Sequence, residues 1–441
     1  MTVKNRQAQT PEPVAGNYFV SAYPPFSCWK EDATAAFRRR LDDANAATAD
    51  APFGLYVHIP FCVHRCQYCY YLAFDGRLGE MGEYLAAVGR EFKTYRATPA
   101  LADRPLSFLY FGGGTPSLAS ISQLEGFFGE LQATAPWDDV EEATFECAPK
   151  SVTAEKMRLL RSAGITRLSL GIQQLDDDVL GKNGRVHGVD DVLRAYERIR
   201  RVGFDVVNLD LIVGLVGETE ESFGRSLDGV LTLAPDSVTL YQLEVPYNTP
   251  LYKTMQDGSL EAEPADWSTK RDRLARAFAA LESAGYTLIS GYTAVRDPEH
   301  VRFMYQDAQY RGGDLLGVGV SSFSYLGGYH QQNVTRLADY LGGVSDGRLP
   351  LGRAYHLDPD EQLIREFVLQ LKLGAIDLAA LRERHGLDPL EHVGTALERH
   401  REAGWLEAGP DRITLTREGL LRVDRMIPEY YLPAHRVGRY S

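Results

Sequence analysis

Three of the chain's five cysteines fall within eight consecutive positions, in the stretch GLYVHIPFCVHRCQYCYYLAF that spans residues 54–74. Cys62, Cys66 and Cys69 follow a short apolar run at spacings of four and three. Thiolates so placed on one loop reach three corners of a metal site and leave the fourth corner without a protein ligand. A structural zinc completed by His58 or His64 answers the same spacing. Zinc knuckles, however, draw their ligands from two separated pairs, and here a single loop carries all three. Cys28 and Cys147 stand alone and read as ordinary buried thiols.

The loop is placed by a repeating pattern of short apolar runs and amphipathic stretches. The runs are GLYVHIPF, PLSFLYFGGG, EATFECAP, TRLSLGIQQ, DVVNLDLIVGL and DSVTLYQLEVP, each bounded by Gly, Pro or Asp. Thr153 caps a predicted helix in which Met157, Leu160 and Ala163 recur at helical spacing before Gly164 stops it. Thr219 opens another, with Phe223, Leu227, Val230 and Leu231 inward and Pro235 beyond its end. A β-α unit repeated about six times implies a parallel sheet with crossover helices, open or closed into a partial barrel. In either form ligands gather at the C-terminal ends of the strands. Cys62, the Gly112–Gly114 turn, Glu146, Gln173 and Asp210 all fall there. From about residue 355 the pattern turns helical, in DEQLIREFVLQLKLGAIDLAALRERHG, and GWLEAGPDRITLT then reads as the hairpin of a small winged-helix-like unit.

Composition narrows the function. The 441 residues are 44% hydrophobic and 24% charged, ordinary for a globular chain with one large and one smaller unit. No apolar run approaches the roughly 18 residues needed to span a bilayer, and MTVKNRQAQTPEPVAG lacks the apolar stretch of a secretory signal. A cytoplasmic protein is expected. The formal net charge of −13 argues against nucleic-acid or anionic-membrane partners, which need basic patches. Five cysteines in so long a chain make no disulfide framework, and a cluster of this kind holds metal or does chemistry.

YVHIPFCVHRCQYC resembles the cluster loop of radical S-adenosylmethionine (SAM) enzymes, and within them that of the oxygen-independent coproporphyrinogen III oxidase family. The resemblance runs through SAYPPF, FGGGTPS, RLSLGIQQ, NLDLIVGL, DLLGVGVSSFS and QQN to the C-terminal helical segment, in the family's order. It implies a partial (β/α)6 TIM-like barrel over residues 51–335, an N-terminal extension over 1–50, and a small helical domain over 336–441. It implies a [4Fe-4S] cluster on Cys62, Cys66 and Cys69, with SAM as the ligand of the fourth iron and the source of a 5′-deoxyadenosyl radical. Tyr56, Gly113 and Glu146 would bind that SAM, with Glu244 and Phe323 lining its adenosine. Tyr68, Gly114, Thr115, Gln173, Arg185 and Asp210 match the positions that hold a second SAM in the family. A small-molecule substrate, an electron donor such as flavodoxin or ferredoxin, and a monomeric chain follow from the same resemblance.

Two departures bear on the substrate. The family's oxidases carry a further cysteine two residues after the last cluster cysteine, where this chain has Tyr71. They also carry an arginine ahead of Tyr-Pro, where GNYFVSAYPPF has no cation. A site shorn of cations suits a tetracarboxylate poorly. The reading from sequence therefore favours methyl transfer or cyclopropanation at an unsaturated carbon of an aromatic or natural-product substrate, with the second SAM as donor. Coproporphyrinogen decarboxylation or related heme chemistry is the alternative, and a non-catalytic heme chaperone a further one. The family's chaperones are shorter and lack the long N-terminal segment. The tyrosine-rich ends, NYFVSAYPPF and EYYLPAHRVGRY, suit either a flat aromatic substrate or ordinary packing.

Overall fold

The computed structural model describes residues 12–16, 19–44 and 51–438, so Asn17 and Tyr18 of the tyrosine-rich opening, and Arg439 and Tyr440 of the closing stretch, lie outside the described residues. The six apolar runs form six parallel strands: β1 Phe53–Ile59, β2 Phe108–Gly113, β3 Glu142–Cys147, β4 Arg167–Gln173, β5 Val206–Val213 and β6 Ser237–Gln242. They lie side by side in chain order within one 12-stranded sheet. Nearly all their Val, Leu, Ile and Phe are buried, on both faces, which is why they read as continuous apolar runs and not as an alternation.

Helices cross over between them, α1 Met81–Arg96, α2 Ile121–Thr134, α3 Ala154–Ser162, α4 Val189–Val202 and α5 Glu220–Leu233, and α6 Trp267–Ser283 follows β6. Their ends are chemically marked. Thr153 accepts the Lys156 N–H at 3.2 Å and Thr219 the Ser222 N–H at 3.2 Å. Leu124, Phe127, Phe128 and Leu131 of α2 join the core of the sheet, where Phe128 meets the Phe111 ring of β2 edge-on at 5.4 Å. The arrangement is the α/β partial barrel, six β-α units in succession.

The sheet continues past β1. Strand β7, Asp314–Val318, runs parallel to β1, and β8 Phe323–Leu326, β9 Tyr329–Asn333 and β10 Leu351–His356 add antiparallel strands beyond it. On the other edge Thr293–Val295 pairs antiparallel with β6. The C-terminal unit begins with α7, Pro359–Leu371, and carries the expected hairpin as β11 Leu406–Ala408 and β12 Arg412–Leu415. Its core also takes in Val20 and Tyr23 from the N-terminal segment, and Tyr23 packs on Tyr431 at 4.9 Å. Lys372 donates to the Val20 carbonyl at 2.7 Å and ties the two ends together. Among the described residues no helix is long and apolar enough to cross a membrane.

One ion pair closes the seam at which β7 joins β1. Arg104 Nη1 lies 2.5 Å from Asp314 Oδ2, and the two side chains are 8% and 2% exposed. The guanidinium also covers the Phe53 ring of β1 at 4.5 Å, and Asp314 Oδ1 accepts the Gly327 N–H at 2.9 Å. Asp314→Ala would leave the Arg104 guanidinium buried without its carboxylate, so it should destabilise the fold by about 3–5 kcal/mol. The urea midpoint should fall accordingly; an unchanged midpoint would show that the seam is held elsewhere.

Candidate active site

The chain leaves β1 through Pro60 and returns at Phe74, whose N–H donates to the Pro60 carbonyl at 2.7 Å. The cysteine loop is thus closed at its base, directly over the strand ends. Inside it the Cys69 N–H donates to the Cys66 carbonyl at 3.2 Å. All three thiols are free and partly exposed. Thr115 Oγ1 lies 3.7 Å from Cys62 Sγ, and Arg185 Nη1 donates to Cys66 Sγ at 3.2 Å. Burial pushes the Cys62 thiol up to about 11, against the Thr115 hydroxyl and helped by the two neighbouring thiols. Burial and Cys66 likewise push Cys69 up. Thiols that resist ionisation together are relieved when a metal takes their protons' place.

His58 and His64, the candidates for a zinc ligand, are differently employed. The His58 ring is buried with Nδ1 against the Tyr56 hydroxyl at 3.0 Å, and burial lowers its pKa to about 4. His64 is exposed. Among the described residues no three His, Cys, Asp or Glu side chains gather around one point, as a single tetrahedral ion requires. Thiolates that each bind a separate iron of a cluster have no such requirement.

The glycine turn after β2 is pinned to the cysteine loop. Gly114 N donates to Ile59 O at 2.9 Å and Thr115 N to Phe61 O at 2.8 Å. A Cβ on Gly114 would stand 2.7 Å from the Phe61 carbonyl, and Gly113 has φ +118°, where only glycine is comfortable. Gly113 N donates to Glu146 Oε2 at 3.1 Å and the Tyr110 hydroxyl to Oε1 at 2.6 Å. Burial, with the facing Asp210 carboxylate, pushes Glu146 up to about 7 despite these donors. Asp210 accepts from Ser169 Oγ and Asn208 Nδ2, both at 2.8 Å, and burial still raises it to about 6. Two carboxylates facing each other inside the barrel make a site that favours hydrogen-bond donors and positive charge.

A second group forms around Cys66. Gln173 follows a bulge in β4 and has φ +65°, and its amide converges with Arg185 over Gly171. Arg185 Nη2 donates to the Gly171 carbonyl at 2.9 Å. The Tyr68 hydroxyl is buried beside Arg185 and the Cys66 thiol, and burial raises its pKa. Glu244 follows β6 and acts electrostatically on Tyr70, Tyr71 and Lys270. Phe323 stands apart from both groups in its contacts, stacked on Phe26 at 4.6 Å with its rings inclined by 10°.

Several polar neighbours escaped the sequence reading. The Tyr110 and Tyr56 rings stack at 5.9 Å, and Tyr305 packs on Tyr110 at 4.3 Å. Ser169 and Asn208 hold Asp210, while Asn208 Oδ1 accepts from Ser237 and Thr239 at 2.8 and 3.0 Å. A signal was present: Tyr110, Ser169, Asn208 and Thr239 each stand two residues before Gly112, Gly171, Asp210 and Tyr241, on the same face of their strands. Tyr305 lies on no strand and carries no such mark.

Free cysteines on one loop, a glycine turn and buried carboxylates at the strand ends of a parallel partial barrel define the radical SAM class. Residues 56–229 match the Radical SAM superfamily and residues 357–422 the HemN C-terminal domain. The chain belongs to the HemN family of radical SAM enzymes. It is 30% identical over 373 residues to a heme chaperone HemW of Bacillus subtilis, covering 83% of this chain and 96% of the relative. It is 29% identical to an oxygen-independent coproporphyrinogen III oxidase of Pseudomonas aeruginosa, covering 89% of each. Among solved structures, coproporphyrinogen III oxidase (HemN) of Escherichia coli, a radical SAM enzyme, superposes with a TM-score of 0.80 at 26% identity, over 93% of this chain and 96% of that one. Membership implies a [4Fe-4S] cluster and SAM. The donor set fits them: three thiols for irons, a turn that carries no side chain of its own at Gly112–Gly114, and polar groups at Glu146 and Tyr68 for the cosubstrate. These relatives carry oxidase and chaperone names, so the expectation of methyl transfer gains nothing from them.

Changing Cys62, Cys66 or Cys69 to Ala should abolish uptake of iron and sulfide on anaerobic reconstitution. Glu146→Ala should instead leave both intact and weaken SAM binding about 10- to 150-fold, the worth of one charge-assisted hydrogen bond. Full affinity in that variant, measured by equilibrium dialysis, would remove Glu146 from the site.

Proposed function

We propose that this protein is an oxygen-independent, HemN-type radical enzyme acting on a propionate-bearing tetrapyrrole, in the manner of coproporphyrinogen III oxidase. The observation that carries the reading is the superposition on the oxidase over 93% of the chain, together with a Glu146, Gly113 and Tyr110 clamp set beside the three thiols. The oxidase relative also matches more of the chain than the chaperone does, 89% against 83%. When bound, the cluster and SAM supply one-electron cleavage of the sulfonium and with it the power to remove a hydrogen atom from an unactivated carbon.

The chain's own residues do the rest. Cys62, Cys66 and Cys69 hold the irons. Glu146 presents two carboxylate oxygens, fixed by Tyr110 and Gly113, to the amino group of the cosubstrate. Gly113 and Gly114 let the backbone approach it without a side chain between. Asp210, fixed by Ser169 and Asn208, accepts hydroxyl or ammonium donors on the opposite wall, which suits a second SAM flanked by Gln173 and Tyr68. Tyr56, Tyr110 and Tyr305 stack into an aromatic wall that excludes water from the clamp. An electron donor such as flavodoxin or ferredoxin would reduce the cluster, and an electron acceptor would take the electron released when the substrate radical loses carbon dioxide.

A second reading, methyl or methylene transfer, is favoured by one feature: Tyr71 occupies the place of the oxidases' additional cysteine, stacked on Tyr70 at 4.5 Å with the hydroxyls 3.2 Å apart. Anaerobic incubation with coproporphyrinogen III, reductant and methyl-deuterated SAM separates the two. Loss of carbon dioxide with no label in the tetrapyrrole supports the oxidase; deuterium in the product supports transfer; tight heme binding without turnover of SAM leaves the chaperone.

The clamp also predicts a pH dependence. Glu146 is raised to about 7 from an ordinary 4.5, so it is largely protonated at pH 6 and ionised at pH 8. A donor from SAM is accepted better by the ionised form, so affinity should rise between pH 6 and 8 with release of a proton. Glu146→Gln should bind weakly and with a flat profile. A wild-type affinity independent of pH over that range would show that Glu146 does not titrate on binding.

A further inference from the structure

We propose that Arg185 sets the reduction potential of the cluster, holding a permanent positive charge against the Cys66 sulfur through an Nη1–H···Sγ hydrogen bond of 3.2 Å. The inference rests on the reading of the three cysteines as cluster ligands.

The three sulfurs are treated unequally. Among the described residues the hydrogen-bond partner of Cys62 Sγ is the neutral Thr115 hydroxyl, at 3.7 Å, and Arg185 reaches it by charge alone. Beside Cys69 stands a second guanidinium, but Arg65 Nη2 donates to the Cys69 carbonyl at 2.9 Å and not to the sulfur. Cys66 alone among them receives a charged side-chain donor on its sulfur. That donor is held from behind. Arg185 Nη2 donates to the Gly171 carbonyl at 2.9 Å, at the bulge of β4, and approaches His187 Nδ1 at 3.4 Å. The other ring nitrogen, His187 Nε2, lies 3.1 Å from the Ile172 carbonyl and must donate to it, which leaves Nδ1 as an acceptor for the guanidinium. Both acceptors hold Nη2, which leaves Nη1 aimed at the thiol.

An electron added to the cluster makes it more negative by one charge. A cation at fixed short range stabilises that reduced form more than the oxidised one, and hydrogen bonds to cluster sulfurs act in the same direction. Arginine does this at every pH, because its guanidinium does not deprotonate in proteins. The plain alternative is that Arg185 only clips the cysteine loop to β4.

The test is a redox titration of the reconstituted full-length chain without SAM, so that any role in holding the cosubstrate is silent. Dithionite passes one electron through mediators into each oxidised cluster, and the paramagnetic signal of the reduced cluster is followed against potential. Arg185→Gln should load iron and sulfide as the wild type does and titrate at a more negative potential. Arg185→Lys, which keeps the charge but not the fork, should fall between them, and Thr115→Val should shift less than Arg185→Gln. A Gln variant at the wild-type potential overturns the proposal. So does a Lys variant indistinguishable from Gln, since the charge would then play no part. A Gln variant that keeps its circular dichroism but cannot hold the cluster makes Arg185 a clip and overturns it too. Zinc in place of iron and sulfide in the wild type would sink the cluster reading itself, and would show before any variant is compared.

Discussion

Two backbone hydrogen bonds, from Gly114 to Ile59 and from Thr115 to Phe61, hold the glycine turn against the base of the cysteine loop. They are available only because β1 and β2 are parallel and in register, with Ile59 opposite Gly113. A parallel sheet brings all strand C-termini to one level, so loops from different strands meet without long excursions. Here the meeting is tighter than side chains allow. Gly113 lies against the His58 ring and Gly114 against the Pro60–Phe61 backbone. The clamp on Glu146 follows from the same contact, since Gly113 spends its N–H on that carboxylate while its neighbours bind the loop.

The same geometry explains which features the sequence displays. Strands buried on both faces announce themselves as apolar runs, so β1 to β6 and their crossover helices were legible, and the cysteine spacing and the lone Glu146 stood out against them. Arg185 was legible as a cation of the right spacing, but its contact with Cys66 was not. That contact is made by a segment distant in sequence, whose Asn183 carbonyl accepts the Gln67 N–H at 3.2 Å and whose Arg185 donates to the Gly171 carbonyl. His58 has the spacing of a metal ligand, but its ring is buried beside Tyr56, two residues earlier on the same strand face, whose hydroxyl lies 3.0 Å from Nδ1. The insertion of Val20 and Tyr23 into the core of the C-terminal unit left no periodic trace, because single apolar residues in an irregular segment have none.

Charge is layered along the barrel axis although the chain is strongly acidic overall. Arg65 and Arg185 stand beside the thiols, whereas Glu146 and Asp210 face one another at the strand ends. The two layers answer different needs. An iron–sulfur cluster bound by thiolates is anionic and gains from nearby cations; an amino- and sulfonium-bearing cosubstrate gains from carboxylates. Placing both in one pocket without mutual neutralisation requires each group to be committed elsewhere. Arg185 is committed to Gly171, and Glu146 to Tyr110 and Gly113, so neither collapses onto the other.

Three further buried cations are committed too, and this bears on what the cavity accepts. Lys372 is fully buried, paired with Asp424 at 3.2 Å and bonded to the Val20 carbonyl, and Lys270 donates to the Leu243 carbonyl at 2.8 Å. Arg167 beneath Asp210 is spent on Ser237 and the Phe303 ring. A polycarboxylate entering between Glu146 and Asp210 would meet like charge before it met any uncommitted cation of this set. A cosubstrate that carries an ammonium and a sulfonium offsets those carboxylates, so the charge of this cavity suits SAM before it suits an anion.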